Sequence, residues 1–206
     1  MRTPDRDRCR SALAALCAAL ITALLVIPCA ALHAEYSVFP NGSLYSASVD
    51  VVDANKFDFF ESGVLGERIP QKVGNIGVVG NCSPCQFNTS GTSSITFSKG
   101  NYTILYSAPM RDYHLQAAFE RPYEVNVTLP EEFDVRNPLL AGMNPGAQIF
   151  GNSDNSTIVS WNKTMNFDLR FYDRNRESLL YLFGNFWVVI AIVMLVPFLI
   201  TMRQKE

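Results

Sequence analysis

The chain has 206 residues, a formal net charge of −2 and 48% hydrophobic residues, which is enough for one domain with its own core. Residues 35–177 hold 11 Lys/Arg against 16 Asp/Glu, with no cluster of basic side chains. Because binding to phosphate needs the opposite sign of charge, this balance excludes nucleic acid from the expected partners.

The first 34 residues have the form of a secretory leader. An uncharged stretch, Ser11–Pro28, follows a start with four arginines and two aspartates: Arg2, Asp5, Arg6, Asp7, Arg8 and Arg10. Signal cleavage is expected after Ala31 or Ala34. Neither position follows a clean Ala-x-Ala pattern, and the apolar stretch is long for a signal core. Residues 1–34 are therefore predicted to be either a signal peptide or an uncleaved anchor helix.

Residues 35–177 are predicted to form an extracytoplasmic β-rich domain. Leu44–Val52 alternates, with Tyr45, Ala47, Val49 and Val51 on one face. Tyr123–Leu129 is the clearest strand: its odd-numbered residues point inward, while Glu124, Asn126 and Thr128 point outward, and Pro130 ends it. Further strands are expected at 94–98, 102–107, 115–119, 157–161 and 165–172.

Turn residues separate these strands. Lys99-Gly100-Asn101 predicts a hairpin turn, and Gly63–Gly80 and Asn137–Gly151 are expected to be irregular because Pro and Gly recur in them. Seven or eight short strands without a helical period predict an all-β fold, an antiparallel β-sandwich that is Ig-like in style.

Cys82 and Cys85 are the only cysteines of this segment. A thiol–disulfide oxidoreductase would place such a Cys-x-x-Cys pair at a helix N-terminus, but Ser, Thr and Gly dominate the residues that follow. A metal site would need about four ligands, and the pair supplies half of them. The pair is therefore predicted to form a local disulfide, with redox activity, metal binding and intermolecular pairing as alternatives.

Seven Asn-x-Ser/Thr sequons lie in the same segment, where composition alone predicts about two. They predict N-glycosylation, and hence exposure, at Asn41, Asn81, Asn88, Asn101, Asn126, Asn155 and Asn162. Unmodified asparagines in turns are the alternative at any single site.

Motifs for catalysis are absent from the sequence, and no catalytic residue, metal ligand or cofactor is predicted. His114 near Asp112 is a weak candidate base. Two acidic sets were considered for calcium and interpreted as solvated turns or strand edges: Asp50, Asp53, Asp58 and Glu61, and Asn152, Asp154 and Asn155. Phe57, Phe59 and Phe60 are interpreted as core rather than as a binding patch.

Leu179–Met202 is free of charge and long enough, at about 1.5 Å per residue, to cross a hydrocarbon core of about 30 Å. It predicts a transmembrane helix at 178–202. Arg170, Arg174 and Arg176, flanked by Asp168, Asp173 and Glu177, are interpreted as a solvated, mixed-charge stalk just outside the membrane, with contact to lipid head groups as the alternative. Residues 203–206 would be cytoplasmic, because Arg203 and Lys205 favour the inside. The main domain would then lie outside a single-pass cell-membrane protein.

Four segments carry a resemblance to a known family: Tyr123–Pro130, Phe133–Leu140, Val159–Trp161 and Leu169–Tyr172, the last leading into the C-terminal helix. Over residues 94–202 the chain resembles an archaeal membrane-anchored family of unknown function. The resemblance implies an archaeal source and a membrane-anchored topology, but no catalytic or binding activity.

The combined features predict a non-enzymatic, N-glycosylated envelope protein. It would act as a binding module or as an accessory subunit of a membrane complex, with membrane lipid and a membrane or envelope protein as partners. An envelope thiol–disulfide oxidoreductase using Cys82 and Cys85 is the alternative.

Overall fold

The computed structural model describes residues 31–63, 67–82 and 85–203, so the predicted leader lies almost wholly outside the described residues. The described residues form strands β1 Leu32–Val38, β2 Leu44–Asp58, β3 Phe60–Ser62, β4 Arg68–Pro70, β5 Gly74–Val79, β6 Asn88–Thr89, β7 Ser94–Pro109, β8 His114–Leu129, β9 Phe133–Asp134, β10 Gly142–Met143, β11 Gln148–Gly151, β12 Thr157–Arg170 and β13 Tyr172–Asp173, and helix α1 Arg174–Arg203. The all-β character of the domain and the C-terminal helix are confirmed.

One nine-stranded sheet dominates the fold. Its main path is β10-β12-β8-β1-β2-β7-β5, with β11 also paired to β12 and β6 to β7. All these pairs are antiparallel except β1–β8, which is parallel, with Leu32 opposite Tyr123. The expectation of purely antiparallel pairing is therefore wrong for β1. Because no hairpin joins β1 to β8, turn geometry does not impose an antiparallel orientation on this pair.

The long strands bend at their centres. β2 shifts register between Val51 and Lys56, and β12 shifts between Trp161 and Asn166. Asp53 and Lys163 take positive φ values of 56° and 55° at these points. Since bulges bend a strand and increase its twist, the two halves of each long strand run in different directions.

The predicted hairpin at Lys99–Asn101 is wrong, because β7 runs through these residues and Gly100 pairs with Ala54 of β2. In the same way, the predicted strands at 115–119 and 123–129 are one strand, β8, and those at 157–161 and 165–172 are mostly β12. Short strands also occur in both stretches expected to be irregular, β4 and β5 in the first and β10 and β11 in the second.

The hydrophobic core contains residues from both halves of the long strands. Its strand faces follow the predicted alternation: the odd-numbered residues of 45–51 and of 123–129 are buried. Trp161, Phe167 and Phe171 are each at most 2% exposed, as is Tyr172. Burial of such large side chains is the main favourable contribution to folding.

Helix α1 begins at Arg174, directly after β13. The predicted stalk is therefore wrong in form, because its charged residues from Asp168 to Glu177 lie in β12, in β13 and in the first turn of the helix. The chain enters the helix through a short pairing, β13 with β9, in which Tyr172 lies opposite Asp134. Over Arg174–Pro197 the helix is long and apolar enough to cross a membrane and is exposed along its length.

Candidate binding cavity

A half-open cavity of about 320 Å³ lies where the sheet bends. β1, β2, β7 and β8 contribute to its walls, and β3 and β4 reach its mouth. The bulge in β2 forms part of the wall, because Val52, Asp53 and Ala54 all line the cavity. The bend that joins the two halves of the sheet therefore also creates the cavity.

Aromatic rings form much of the lining. Tyr106 lies 5.0 Å from Phe59 and 6.3 Å from Phe57, measured between ring centroids. On the other side, Phe119 stacks on Tyr123 at 4.3 Å. Rings packed against one another in this way have fixed orientations, so they present a preformed apolar surface to a ligand.

Buried tyrosine hydroxyls lie beneath these rings. Tyr45 donates to Oε1 of Gln71 over 3.1 Å, and its ring centroid lies 5.9 Å from that of Tyr36 and 6.3 Å from that of Tyr106. Burial raises the pKa of Tyr36 and Tyr106 well above the ordinary value, and it raises the pKa of Tyr45 to about 12. The phenols are therefore neutral hydrogen-bonding groups at physiological pH.

Charged side chains surround the mouth, and most of them are paired. Lys56 lies 2.9 Å from Asp58, Arg68 lies 3.6 Å from Glu120, and Asp53 pairs with Lys99 at 3.1 Å. Arg121 also lines the cavity and is exposed, and among the described residues it has no carboxylate within ion-pair distance. Counting described residues only, the mouth thus offers one positive charge without a paired carboxylate, that of Arg121, beside an aromatic interior.

Sequence reasoning singled out three residues of this lining but did not predict the cavity. Phe57, Phe59 and Phe60 were interpreted as core; Phe59 is buried, whereas Phe57 and Phe60 are half-buried, and all three line the cavity. Arg121 was missed, because an isolated arginine next to Pro122 gives no local signal. Its role depends on which neighbouring charges are already paired, and only the tertiary structure shows that.

The weak candidate base, His114, is the first residue of β8 and does not line the cavity. Nε2 of His114 contacts Oδ1 of Asp168 at 2.9 Å, rather than Asp112 as the sequence suggested. The acidic sets considered for calcium are engaged elsewhere: Oδ1 of Asp50 accepts from Thr103, and Oδ1 of Asp154 accepts from Ser156. In the described ranges, no three His, Cys, Asp or Glu residues cluster closely enough to hold a metal ion.

Cys82 and Cys85 form a disulfide, with their Cα atoms 5.0 Å apart. Cys85 is buried, and its N–H donates to the carbonyl of Val78 over 2.9 Å. The chain after Cys85 leads into the short strand β6 rather than into a helix, so the helix dipole that lowers a thiol pKa in redox sites has no counterpart here. The bond closes the loop that leaves β5.

Six of the seven predicted glycan acceptors have exposed side chains: Asn41, Asn81, Asn88, Asn101, Asn155 and Asn162. Asn126 is half-buried on the outer face of β8, opposite Glu35 of β1 and Ser160 of β12. An attached glycan must leave the surface freely, so the six exposed positions meet the geometric requirement better than Asn126. Glycosylation itself stays a prediction.

The sequence profile of a family of unknown function (DUF5803) matches residues 87–205, more than half of the chain. The matched region runs from just before β6 through α1 and contains the four segments that carried the resemblance, which is confirmed as resemblance to a family of unknown function. The chain matches no curated protein.

Proposed function

The chain belongs to the DUF5803 family of unknown function, and we propose that it is a membrane-anchored, non-enzymatic binding module whose cavity takes a small organic anion. One observation carries this proposal: an aromatic cavity of about 320 Å³ opens beside Arg121, the one lining charge that no described carboxylate pairs. The size is at the lower end of small-molecule sites, which are typically about 300–1,000 Å³.

The chemistry of the lining indicates the class of ligand. Aromatic rings favour an apolar or aromatic body, and Arg121 favours a carboxylate or a similar anion, since guanidinium pairs with carboxylate through two parallel hydrogen bonds. The buried phenols have raised pKa values, so they remain protonated and add no negative charge to the interior.

The proposed topology places residues 178–202 in the cell membrane, residues 35–177 outside and residues 203–206 in the cytoplasm. Arg203 and Lys205 support this orientation through the positive-inside rule. The sequons support an exported, N-glycosylated domain, and the resemblance described above supports an archaeal envelope. The bulges that bend the long strands support a sandwich of Ig-like style. Digestion of the domain by protease added to intact spheroplasts tests the orientation.

The ligand experiment uses the full chain in lipid nanodiscs and two probes of the same size, indole-3-propionate and tryptamine. Saturation-transfer NMR is expected to detect the carboxylate and to detect the amine much more weakly. Arg121→Gln should remove this preference, whereas Arg111→Gln, which changes an exposed arginine just before β8 that does not line the cavity, should leave it intact. Equal signals from both probes in the parent would contradict the proposed ligand class.

A filled cavity provides a second control. Ala117 lines the cavity and packs against the core. Ala117→Leu should abolish binding of both probes, because it occupies the volume that the ligand would take. Retained binding by a folded Ala117→Leu variant would place the ligand somewhere other than the cavity.

A second candidate function is that of an accessory subunit in a membrane complex. Helix α1 carries Gly184 and Asn185, which are residue types that transmembrane helices use to pack together. Extraction in mild detergent followed by identification of co-purifying proteins tests this. Migration as a lone monomer under those conditions argues against the subunit role and leaves the binding module unaffected.

A further inference from the structure

A leucine in the loop before β10 is unusually exposed. Leu139 is 81% exposed, the highest value among the exposed large hydrophobic side chains of the described residues. We refer to Asn137–Ala141 as the leucine loop. A single exposed leucine is ordinary on a protein surface, so its meaning depends on how the loop is held and on what lies beside it.

Hydrogen bonds fix the shape of the leucine loop. Oδ1 of Asn137 accepts from the N–H of Leu139 over 3.0 Å, and the carbonyl of Asn137 accepts from the N–H groups of Leu140 and Ala141 over 3.1 and 2.9 Å. This turn presents Leu139 outward on a defined backbone. The exposure is therefore a feature of an ordered loop.

Further contacts attach the loop to the start of α1. The N–H of Asn137 donates to the hydroxyl of Tyr172 over 3.2 Å, and Nδ2 of Asn137 donates to Oε1 of Glu177 over 3.4 Å. The Tyr172 hydroxyl also donates to Oε2 of Glu177 over 3.4 Å. The side chains of Asn137, Tyr172 and Glu177 thus set the position of the loop along the helix axis.

The loop and the helix share an open apolar groove of about 710 Å³. It is lined by Leu140 together with Arg176, Leu179, Leu180, Leu182, Phe183 and Phe186. Arg176 is its one charged residue and also lies with its guanidinium 5.0 Å from the ring centre of Tyr113. Leu179–Phe186 extends over about 10 Å of helix, roughly the outer third of a 30 Å hydrocarbon core.

The groove face of α1 is suited to lipid rather than to another helix. At 100° per residue, Leu179, Phe183 and Phe186 lie on one side of α1, whereas Gly184 and Asn185 lie on the opposite side. Close helix packing uses small or polar residues, and between Leu179 and Phe186 the groove lining has only large apolar ones. Acyl chains are the occupant that this side fits.

We propose that the leucine loop inserts into the outer leaflet beside α1, with acyl chains in the groove and Arg176 at the level of the lipid headgroups. This rests on the proposed function only in that α1 spans the membrane. A second apolar contact away from the helix axis would hold the domain at a fixed tilt, which a single helix does not do. The cavity mouth would then face a constant direction relative to the lipid surface.

The test measures depth in the bilayer. Cys9, Cys17 and Cys29 are replaced by Ser in the full chain, and an environment-sensitive fluorophore is attached at Leu139→Cys, Leu195→Cys or Ile69→Cys in separate variants. Ile69 is a matched exposed apolar residue, on β4 beside the cavity, and Leu195 lies within α1. Each protein is reconstituted into phosphatidylcholine vesicles, with nitroxide-labelled lipid as one quencher and aqueous iodide as the other.

The label at position 139 is expected to be quenched by shallow nitroxides and protected from iodide, whereas the label at 69 shows the reverse. A label at 139 that iodide quenches as fully as the label at 69 overturns the proposal. Protection from both quenchers indicates a protein occupant and also overturns it. The label at 195 separates the loop proposal from the proposed membrane span. Quenching by deep nitroxides at 195 supports the transmembrane helix whatever the label at 139 shows. Iodide quenching at both 139 and 195 contradicts both the inserted loop and the transmembrane helix.

Discussion

The ring of Tyr36 on β1 packs edge-on against the ring of Phe167 on β12, with 5.0 Å between their centroids. Tyr36 belongs to the half of the sheet in which β1 pairs with β2 and β8, and Phe167 follows the bulge of β12 in the other half. Both side chains are at most 3% exposed. This contact closes the bent sheet across its core.

Phe167→Ala is expected to destabilise the domain strongly, by about 3–5 kcal/mol, because it removes a fully buried ring and leaves a cavity. Met165→Ala is the matched control on the same strand, where the side chain is 53% exposed and the expected change is within about 0.5 kcal/mol. Urea unfolding followed by Trp161 fluorescence measures both. Similar midpoints for the two variants would mean that the halves of the sheet do not depend on this contact.

Stability is expected to fall at alkaline pH. The pKa of Tyr45 is about 12 in the folded domain because burial disfavours the phenolate, against about 10 when unfolded. The contribution of the Tyr45 phenol to the free energy of unfolding is therefore complete below pH 10. It is lost as the pH rises toward 12, because the phenol releases its proton at a lower pH in the unfolded state than in the folded state. The slope is about 1.4 kcal/mol per pH unit for each such tyrosine.

Tyr45→Phe removes this titration, so its decline in stability above pH 10 should be shallower than that of the parent. The variant also loses the hydrogen bond to Gln71, which lowers its stability by about 1 kcal/mol at every pH below 10. Urea unfolding at pH 8, 9, 10 and 11 separates the two effects. Parallel curves for parent and variant would show that Tyr45 is not responsible.

Cleavage of the leader is expected after Ala31 rather than after Ala34. Processing after Ala31 leaves β1 whole, whereas processing after Ala34 removes three of its residues, including the fully buried Ala34 opposite Val49 and Val125. Mass spectrometry of the mature chain should find Leu32 at its N-terminus. Cys29→Arg, at the −3 position, should block this processing, and a mature chain that starts at Glu35 would contradict the prediction.

Replacing both Cys82 and Cys85 by serine is expected to lower stability by no more than about 2 kcal/mol, because closing so short a loop removes little entropy from the unfolded chain. The parent protein should show no insulin reduction, since extended chain rather than a helix follows Cys85. Thermal unfolding and a turbidity assay measure these quantities. Insulin reduction that disappears in the double variant would restore the oxidoreductase alternative.

The local sequence pattern was sufficient to predict which faces of the strands are buried and where the C-terminal helix lies. The alternation of Tyr123–Leu129 predicted its buried face, because one side of that strand meets the core and the period of two is preserved. The uncharged run from Leu179 was sufficient to predict α1, because this helix does not depend on contacts with the domain for its apolar length.

The bends and the first strand were not predicted, for physical reasons. Gly100 and its neighbours have the composition of a hairpin turn, yet long-range pairing with β2 keeps them extended. Leu32–Val38 directly follows the apolar leader, so its first residues resemble a continuation of the leader rather than a central strand. The cavity was missed for the same reason as the bends, because it depends on where the strands fold over one another.

The first strand of the described residues, β1, lies at the centre of the sheet, and this order has a consequence for how the domain assembles. β2 follows β1 at once, but β8, its other neighbour, ends at Leu129, almost a hundred residues after β1 begins. Until then the β1–β2 pair carries an unpaired edge that any extended chain can extend. Contacts so distant in sequence also slow folding, so the nascent domain needs protection from aggregation during that interval.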